Sequence, residues 1–179
     1  MTRRVLVAGV GNIFLGDDGF GVEVANRLAG QALPDGVEVT DFGIRGVHLA
    51  YQLLDGYDAL VLVDAVQRGD EPGTLTVIEP EPPADSRGRP PAVDAHGMDP
   101  ASVLGMLAGL GGEVERVLVV GCEAGRLEDE IGLSEPVAEA VPRAVQLVMD
   151  LVTQTASQGA EFSMSAGAAR PNGNKEKPT

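Results

Sequence analysis

Three uninterrupted apolar runs constrain the fold of this chain more than any other feature of its sequence. They occupy residues 5–10, 59–63 and 117–120, and each is short and rich in valine and leucine. Such runs are typical of parallel sheets, whose strands are buried on both faces. Segments with helical spacing separate them, at 22–29, 47–54 and 100–110. The alternation predicts a three-layer α/β/α sandwich around a mostly parallel, twisted sheet of about five strands.

Two further segments complete the predicted sheet. Residues 36–41 alternate between apolar and polar side chains, which is typical of a strand. Residues 74–78 follow the third strand too soon for a helical crossover, so we expect this strand to run antiparallel at an edge. Ser134 and Pro136 indicate the start of a last helix, with apolar spacing up to residue 152. Residues 1–154 are therefore expected to form one domain, and residues 155–179 a disordered tail.

The charge of the chain excludes several classes of protein. A net charge of −14 over 179 residues argues against nucleic-acid binding and against an anionic membrane surface. No apolar stretch approaches the roughly 20 residues of a membrane span. The single cysteine, Cys122, cannot form an internal disulfide and is expected to be an inert buried thiol. We therefore expect a cytoplasmic protein that binds neither nucleic acid nor membrane, and we expect a monomer.

Acidic residues gather where the predicted strands end. Asp18 follows the first strand, Asp41 ends the second and Asp64 ends the third. Ligands of open α/β sheets bind at the carboxyl ends of the strands, so the sequence predicts an acidic site at that edge. The neighbouring Asp17 is interpreted instead as a charge that favours the N-terminus of the following helix.

The glycine-rich turn at 9–21 does not match a nucleotide-binding loop. Gly9 and Gly11 fit the spacing of a dinucleotide motif, but Phe14 replaces the third glycine. Adjacent carboxylates at 17 and 18 would also repel a pyrophosphate. The turn thus favours a cation over an anion.

A histidine completes a possible metal-binding set. Of the two histidines, His48 lies on a predicted helix, whereas His96 lies at the end of a long loop before the third helix. Asp18, Asp64 and His96 form an N/O ligand set that suits nickel, zinc, iron or manganese and could activate water. Without a metal, the carboxylates could act as an acid–base pair of the aspartic type. These three residues are the predicted catalytic and metal-contacting residues.

Four segments, in order along residues 4–152, resemble the signatures of the nickel–iron hydrogenase maturation endopeptidases, peptidases of the M52 type. One of them, the third in chain order, is the segment with His96, which lies just ahead of a predicted helix. The other three are Gly9-Val-Gly-Asn-x-x-x-Gly-Asp-Asp-Gly-x-Gly21, Leu62-Val-Asp-Ala65 and Glu128-x-x-Ile131-Gly-Leu-Ser-x-Pro136-Val.

This resemblance implies an α/β endopeptidase that removes the C-terminal extension of a nickel–iron hydrogenase large-subunit precursor after nickel insertion. It implies that Asp18, Asp64 and His96 contact nickel that the substrate supplies, with another divalent metal as the alternative. Family members are commonly classed with aspartic-type peptidases.

One loop departs from the family pattern. After the second strand many members carry Asp-Gly-Gly-Thr or a close variant, whereas this chain has Asp41-Phe-Gly-Ile-Arg-Gly46. We expect Asp41, Gly43, Arg45 and Gly46 to form a substrate-contacting loop. Two alternatives stay open at this point: a non-catalytic, metal-binding maturation chaperone and a dinucleotide-binding protein.

Overall fold

The computed structural model describes residues 2–80 and 99–164, with side chains up to residue 158. Its sheet has the strand order β2-β1-β3-β5-β4. The strands are β1 (Val5–Val10), β2 (Val37–Gly43), β3 (Ala59–Val66), β4 (Leu75–Ile78) and β5 (Arg116–Glu123). The helices are α1 (Phe20–Ala29), α2 (Gly46–Leu53), α3 (Pro100–Gly109) and α4 (Glu135–Met164), and a short 3₁₀ helix (Gly16–Gly19) precedes α1.

The directions of the strands follow from the lengths of their connections. Strand β1 pairs in parallel with β2 and β3, and β3 pairs in parallel with β5. Strand β4 follows β3 after a turn at 67–74 and pairs antiparallel with β5 at the edge of the sheet. That turn is too short for a crossover, which requires a dozen or more residues. The predicted α/β fold and its antiparallel edge strand are confirmed.

Alternate side chains of the buried strands fill two separate cores. On β1, Val5 and Val7 belong to the core that α1 and α4 cover. Leu6 and Ala8 point the other way, into the core that α2 and α3 cover. Since neighbouring side chains of a strand point to opposite faces, a strand buried on both sides must be apolar throughout. The uninterrupted runs in the sequence reflect this arrangement.

Two glycines let α1 lie directly on the sheet. A Cβ atom on Gly9 would lie 2.3 Å from the carbonyl oxygen of Gly21, and one on Gly21 would lie 2.1 Å from the carbonyl oxygen of Val63. Real Cβ atoms do not approach backbone so closely, so both positions require glycine. The start of α1 is thereby fixed against β1 and β3, just before Asp64.

Helix α4 is longer than the sequence predicts. It continues to Met164, past residue 154, where the periodic pattern ends and the tail was expected to begin. Thr155 is buried, and its hydroxyl donates to the carbonyl of Leu151 at 2.8 Å. Packing of this threonine extends the helix beyond its last periodic valine. Residues 165–179 lie outside the described residues. None of the described helices has the length and apolar character needed to cross a bilayer.

Candidate active site

The connections of β1 and β3 create a cleft at the carboxyl edge of the sheet. From β1 the chain crosses through α1 to β2 on one side, and from β2 it crosses through α2 to β3 on the other side. Helices α1 and α2 lie on opposite faces. The ends of β1 and β3 therefore form a topological switch point, where open α/β sheets bind their ligands. Asp18 lies in the turn that follows β1, and Asp64 lies near the end of β3.

Asp18 is held by the turn that precedes it. Its Oδ2 accepts the backbone N–H of Asn12 at 2.7 Å, and its side chain is half-buried. Gly11, at a φ of 134°, allows this turn, because a Cβ there would lie 1.8 Å from the carbonyl oxygen of Asp18. The glycine-rich turn thus fixes the position of a carboxylate, and the Asn12 amide is engaged by that carboxylate.

Asp64 has the most perturbed acid–base chemistry at this edge. Burial, and then the negative charge of Asp18, raise the pKa of Asp64 from 3.8 to about 8. A hydrogen bond from the Ala65 amide lowers this pKa, but by less than the other two effects raise it. The effect of Asp18 shows that the two carboxylates share one electrostatic environment. With this raised pKa, Asp64 keeps its proton near neutral pH and is suited to act as a general acid. A divalent cation would remove the same repulsion.

Asp17 has a different role from the one that the sequence predicts. Its fully buried carboxylate accepts four hydrogen bonds: from the amides of Gly125, Arg126 and Ser134 at 2.8, 2.7 and 2.6 Å, and from the Ser134 hydroxyl at 2.8 Å. Burial alone would raise the pKa of Asp17, but these hydrogen bonds outweigh burial and lower it. The interpretation of Asp17 as a helix-terminus charge is wrong, because its partners lie on the segment between β5 and α4.

A second buried carboxylate supports the chain beyond Asp64. Glu123, at the end of β5, accepts the amides of Arg68 and Gly69 at 2.8 and 3.1 Å. It therefore holds the turn that follows β3. Sequence reasoning missed both Asp17 and Glu123 as structural anchors. The signal available for Glu123 was an acidic residue at the end of an apolar strand.

The predicted substrate loop lies beside the glycine-rich turn. The amide of Gly11 donates to the carbonyl of Gly43 at 2.9 Å, and Gly43 has a φ of 54°. Arg45 stabilises the loop from within: its guanidinium donates to the carbonyls of Asp41 and Phe42 at 2.7 and 3.0 Å. Asp41 is half-buried, and Gly46 begins α2. The structure thus brings this loop next to the turn that carries Asp18.

His96, the third predicted site residue, lies outside the described residues. Within residues 2–80 and 99–158, no three His, Cys, Asp or Glu side chains gather as a metal site. Asp99 is the N-cap of α3, since its side chain accepts the amide of Ser102 at 2.9 Å. His48 is exposed on α2. The described part of the site therefore consists of the carboxylate pair.

The fold and the site together define a class of protein. The chain is an α/β sandwich whose switch point holds two interacting carboxylates. This arrangement suits hydrolysis or cation recognition and does not suit a nucleotide.

Comparisons with known proteins agree with this class. The profile of the HycI family, described as hydrogenase maturation protease, matches residues 22–151. The hydrogenase expression/formation protein HupD of Rhizobium leguminosarum bv. viciae is 34% identical over 80% of this chain and 71% of its own length. The hydrogenase maturating endopeptidase HybD of Escherichia coli superposes with a TM-score of 0.71 at 31% identity, covering 85% of this chain and 93% of that one.

A [NiFe] hydrogenase maturation protease HycI from Thermococcus kodakarensis superposes with a TM-score of 0.65 at 25% identity, over 85% and 94% of the two chains. The chain belongs to the HycI family of hydrogenase maturation proteases. It is a peptide-bond hydrolase, a hydrogenase maturation endopeptidase that processes the C-terminus of the large subunit. Family membership thus decides against the chaperone and dinucleotide alternatives.

Proposed function

We propose that this endopeptidase recognises nickel already held by a nickel–iron hydrogenase large-subunit precursor, and that Asp18, Asp64 and His96 contact this nickel. The observation that carries the proposal is the carboxylate pair at the switch point, where burial and then the charge of Asp18 raise the pKa of Asp64. A divalent cation between the two side chains would turn this repulsion into attraction. Carboxylate and imidazole ligands both suit nickel.

The path of α3 supports His96 as the third ligand. Gly112, after α3, lies against Leu54 at the end of α2. The chain continues from α2 into the amino end of β3 and from α3 into the amino end of β5, which are parallel strands. Helix α3 is 10 residues, or about 15 Å, long. Asp64 pairs with Gly121, about 17 Å along β5 from its start. The N-terminus of α3 is thus roughly level with Asp64.

The reach of the chain and the face of the sheet agree with this placement. His96 precedes the N-cap of α3 by three residues, which span at most about 10 Å. Leu62 belongs to the core that α2 and α3 cover, so Asp64, two residues further along β3, points to the same face. Helix α3 and Asp64 therefore share one face of the sheet.

The loop of Asp41, Gly43, Arg45 and Gly46 would guide the substrate peptide. It adjoins Gly11, and two contacts of the Arg45 guanidinium with backbone carbonyls keep its shape. In the proposed reaction a water molecule attacks the scissile carbonyl carbon, the C–N bond breaks, and the released amine takes up a proton. The carboxylate pair or the substrate's nickel assists this water.

The setting of the reaction is part of the proposal. A [NiFe] hydrogenase maturation protease is among the structural neighbours, which supports a nickel–iron enzyme as the partner. The acidic chain with one cysteine supports a cytoplasmic monomer that acts on that precursor. Nickel comes with the substrate, and another divalent metal at the same residues is the alternative.

The test compares nickel-loaded and nickel-free precursor, with loss of the C-terminal extension followed by mass spectrometry. We expect cleavage of the loaded precursor only. Asp18→Asn, Asp64→Asn and His96→Ala should each reduce the rate by 100-fold or more, on the order expected for loss of a catalytic group. His48→Ala removes the only other histidine, which is exposed on α2, and should cleave normally.

Three outcomes would contradict the proposal. Equal cleavage of both precursors would mean that nickel is not recognised. A wild-type rate for Asp18→Asn or Asp64→Asn would remove the carboxylate pair from the reaction. Equal rates for His96→Ala and His48→Ala would remove His96 from the site.

A further inference from the structure

A rigid apolar surface adjoins the carboxylate pair, and no step of the proposed reaction uses it. Four large apolar side chains are solvent-exposed there: Ile13 at 44%, Phe14 at 60%, Leu127 at 39% and Ile131 at 72%. They form the surface called here the Phe14–Ile131 patch. The chain has only four phenylalanines, and Phe20 and Phe42 are buried. Exposed groups of large apolar residues commonly mark interaction sites.

Hydrogen bonds between distant parts of the chain join the two segments of the patch. The amide of Glu130 donates to the carbonyl of Phe14 at 3.0 Å, and the amide of Gly16 donates to the carbonyl of Glu130 at 2.7 Å. Leu15 and Glu130 form a parallel bridge. The amide of Asp17 donates to the carbonyl of Arg126 at 2.8 Å. The exposed side chains therefore stand on one connected piece of backbone.

The buried carboxylate of Asp17 fixes this connection. All four of its hydrogen bonds go to residues between β5 and α4, while Asp17 itself lies in the 3₁₀ helix beside Asp18. Burying a charge is costly unless it is fully hydrogen-bonded, as it is here. A patch held in this way is ordered before any partner arrives, which reduces the entropy cost of binding.

The patch has an acidic border. Exposed carboxylates flank Leu127 and Ile131 along the segment before α4 and at the first residue of α4; they belong to Glu128, Asp129, Glu130 and Glu135. Arg126 is the basic residue of segment 124–135. Its Nε lies 3.2 Å from Glu130, as an ion pair without the alignment of a hydrogen bond. Segment 124–135 therefore has four acidic side chains and one basic side chain. Apolar groups with an acidic rim complement an apolar segment flanked by lysine or arginine.

We propose that the Phe14–Ile131 patch is the docking surface for the precursor, and that it binds an apolar surface segment of the large subunit flanked by basic residues. This inference rests on the proposed function. The patch is continuous with the site: Asn12, which donates its amide to Asp18, directly precedes Ile13. Docking there places the partner beside the carboxylate pair and adds affinity remote from the cleaved bond.

The test measures the Kd of nickel-loaded precursor and, separately, KM and kcat for its cleavage. In the double variant Phe14→Ser/Ile131→Ser we expect Kd and KM to rise about tenfold or more, as for loss of central interface residues. The kcat should change by less than about threefold, because the carboxylate pair is intact. Raising NaCl from about 50 to 300 mM should weaken wild-type binding by screening the acidic border.

A matched control removes two other exposed apolar side chains. Val77 and Leu110 are 41% and 42% exposed. Val77 lies on the edge strand β4, which β5 separates from β3, and Leu110 follows the last residue of α3. Val77→Ser/Leu110→Ser should keep wild-type Kd and KM. Thermal denaturation of both double variants should show unchanged midpoints, so that any loss of affinity reflects docking.

An unchanged Kd in Phe14→Ser/Ile131→Ser would overturn the proposal. The proposal would also be overturned if the wild type self-associates and this variant abolishes self-association without changing Kd. The patch would then bind a second copy of the chain. Failure of the wild type to cleave any precursor would contradict the proposed function, and the Kd comparison would still decide the docking surface.

Discussion

Replacing Asp64 by asparagine should stabilise the folded protein at neutral and alkaline pH, although the carboxylate belongs to the proposed site. Burial and the charge of Asp18 raise the pKa of Asp64 from 3.8 to about 8 in the folded state. Between these values the folded protein keeps a proton that the unfolded chain has released. Stability therefore falls as pH rises through this window, because the folded state binds more protons. Asparagine has a similar shape and no charge to bury.

The size of the effect follows from the shift. One pKa unit corresponds to about 1.4 kcal/mol, so the full shift sets an upper bound of roughly 6 kcal/mol. Asp64 keeps part of its surface open to the cleft, where water screens the charge. We therefore expect about 2–3 kcal/mol at pH 8. The gain should fall below about 1 kcal/mol at about pH 4, where the folded carboxyl group is protonated and the unfolded one is partly protonated.

Urea denaturation at intervals from pH 4 to pH 8, in the presence of a chelator, measures this difference directly. Asp18→Asn provides a second test, because it removes the charge that acts on Asp64. It should give a smaller gain with the same dependence on pH. Asp35→Asn, an exposed substitution before β2, should leave stability nearly unchanged. A gain that does not depend on pH, or a loss of stability at pH 8 in Asp64→Asn, would refute the assignment of a buried, repelled carboxylate.

Two further substitutions or reactions check other parts of the structure. Gly11→Ala should destabilise the fold by about 3 kcal/mol or more in urea denaturation, because its Cβ would lie 1.8 Å from the carbonyl oxygen of Asp18 at a φ of 134°. Gly109→Ala, in α3 with open space around it, should leave the free energy of unfolding unchanged or raise it. Equal losses of stability in Gly11→Ala and Gly109→Ala would contradict this reasoning. Cys122 is buried, and burial raises its pKa to about 11, so iodoacetamide at pH 8 should modify it only after unfolding. Rapid labelling of the native protein, seen by intact mass, would place this thiol at the surface.

The strands were predictable because their burial imposes a simple pattern. A strand segment with helices on both faces must be apolar at every position. All of β1, residues 59–63 of β3 and residues 117–120 of β5 show this in the sequence. The direction of β4 was predictable from the short connection before it. The 3₁₀ helix before α1 was not predictable in the same way. Gly16 has a φ of 55° and pairs with Glu130, a partner far along the chain that no local pattern reveals.

The site residues also differ in whether the nearby sequence or only distant contacts reveal their roles. Asp18 and Asp64 could be predicted because strand ends are read from the sequence, and parallel strands bring their carboxyl ends to one edge. Asp17 has the same residue type as its neighbour, and nothing local separates their roles. Its partners, Gly125, Arg126 and Ser134, follow it by more than a hundred residues. Only the packed fold shows that one aspartate anchors the turn while the next one faces the cleft.

The rigidity of this edge explains why two carboxylates that repel each other stay together. Gly11 and the amide of Asn12 fix Asp18, and the pairing of Asp64 with Gly121 of β5 fixes the backbone of Asp64. Neither side chain can move away without the loss of backbone contacts. The free protein therefore keeps the proton of Asp64 near neutral pH. A cation brought by a partner would release that proton and compensate both carboxylates. On the proposed function, that release favours a loaded precursor over an empty one.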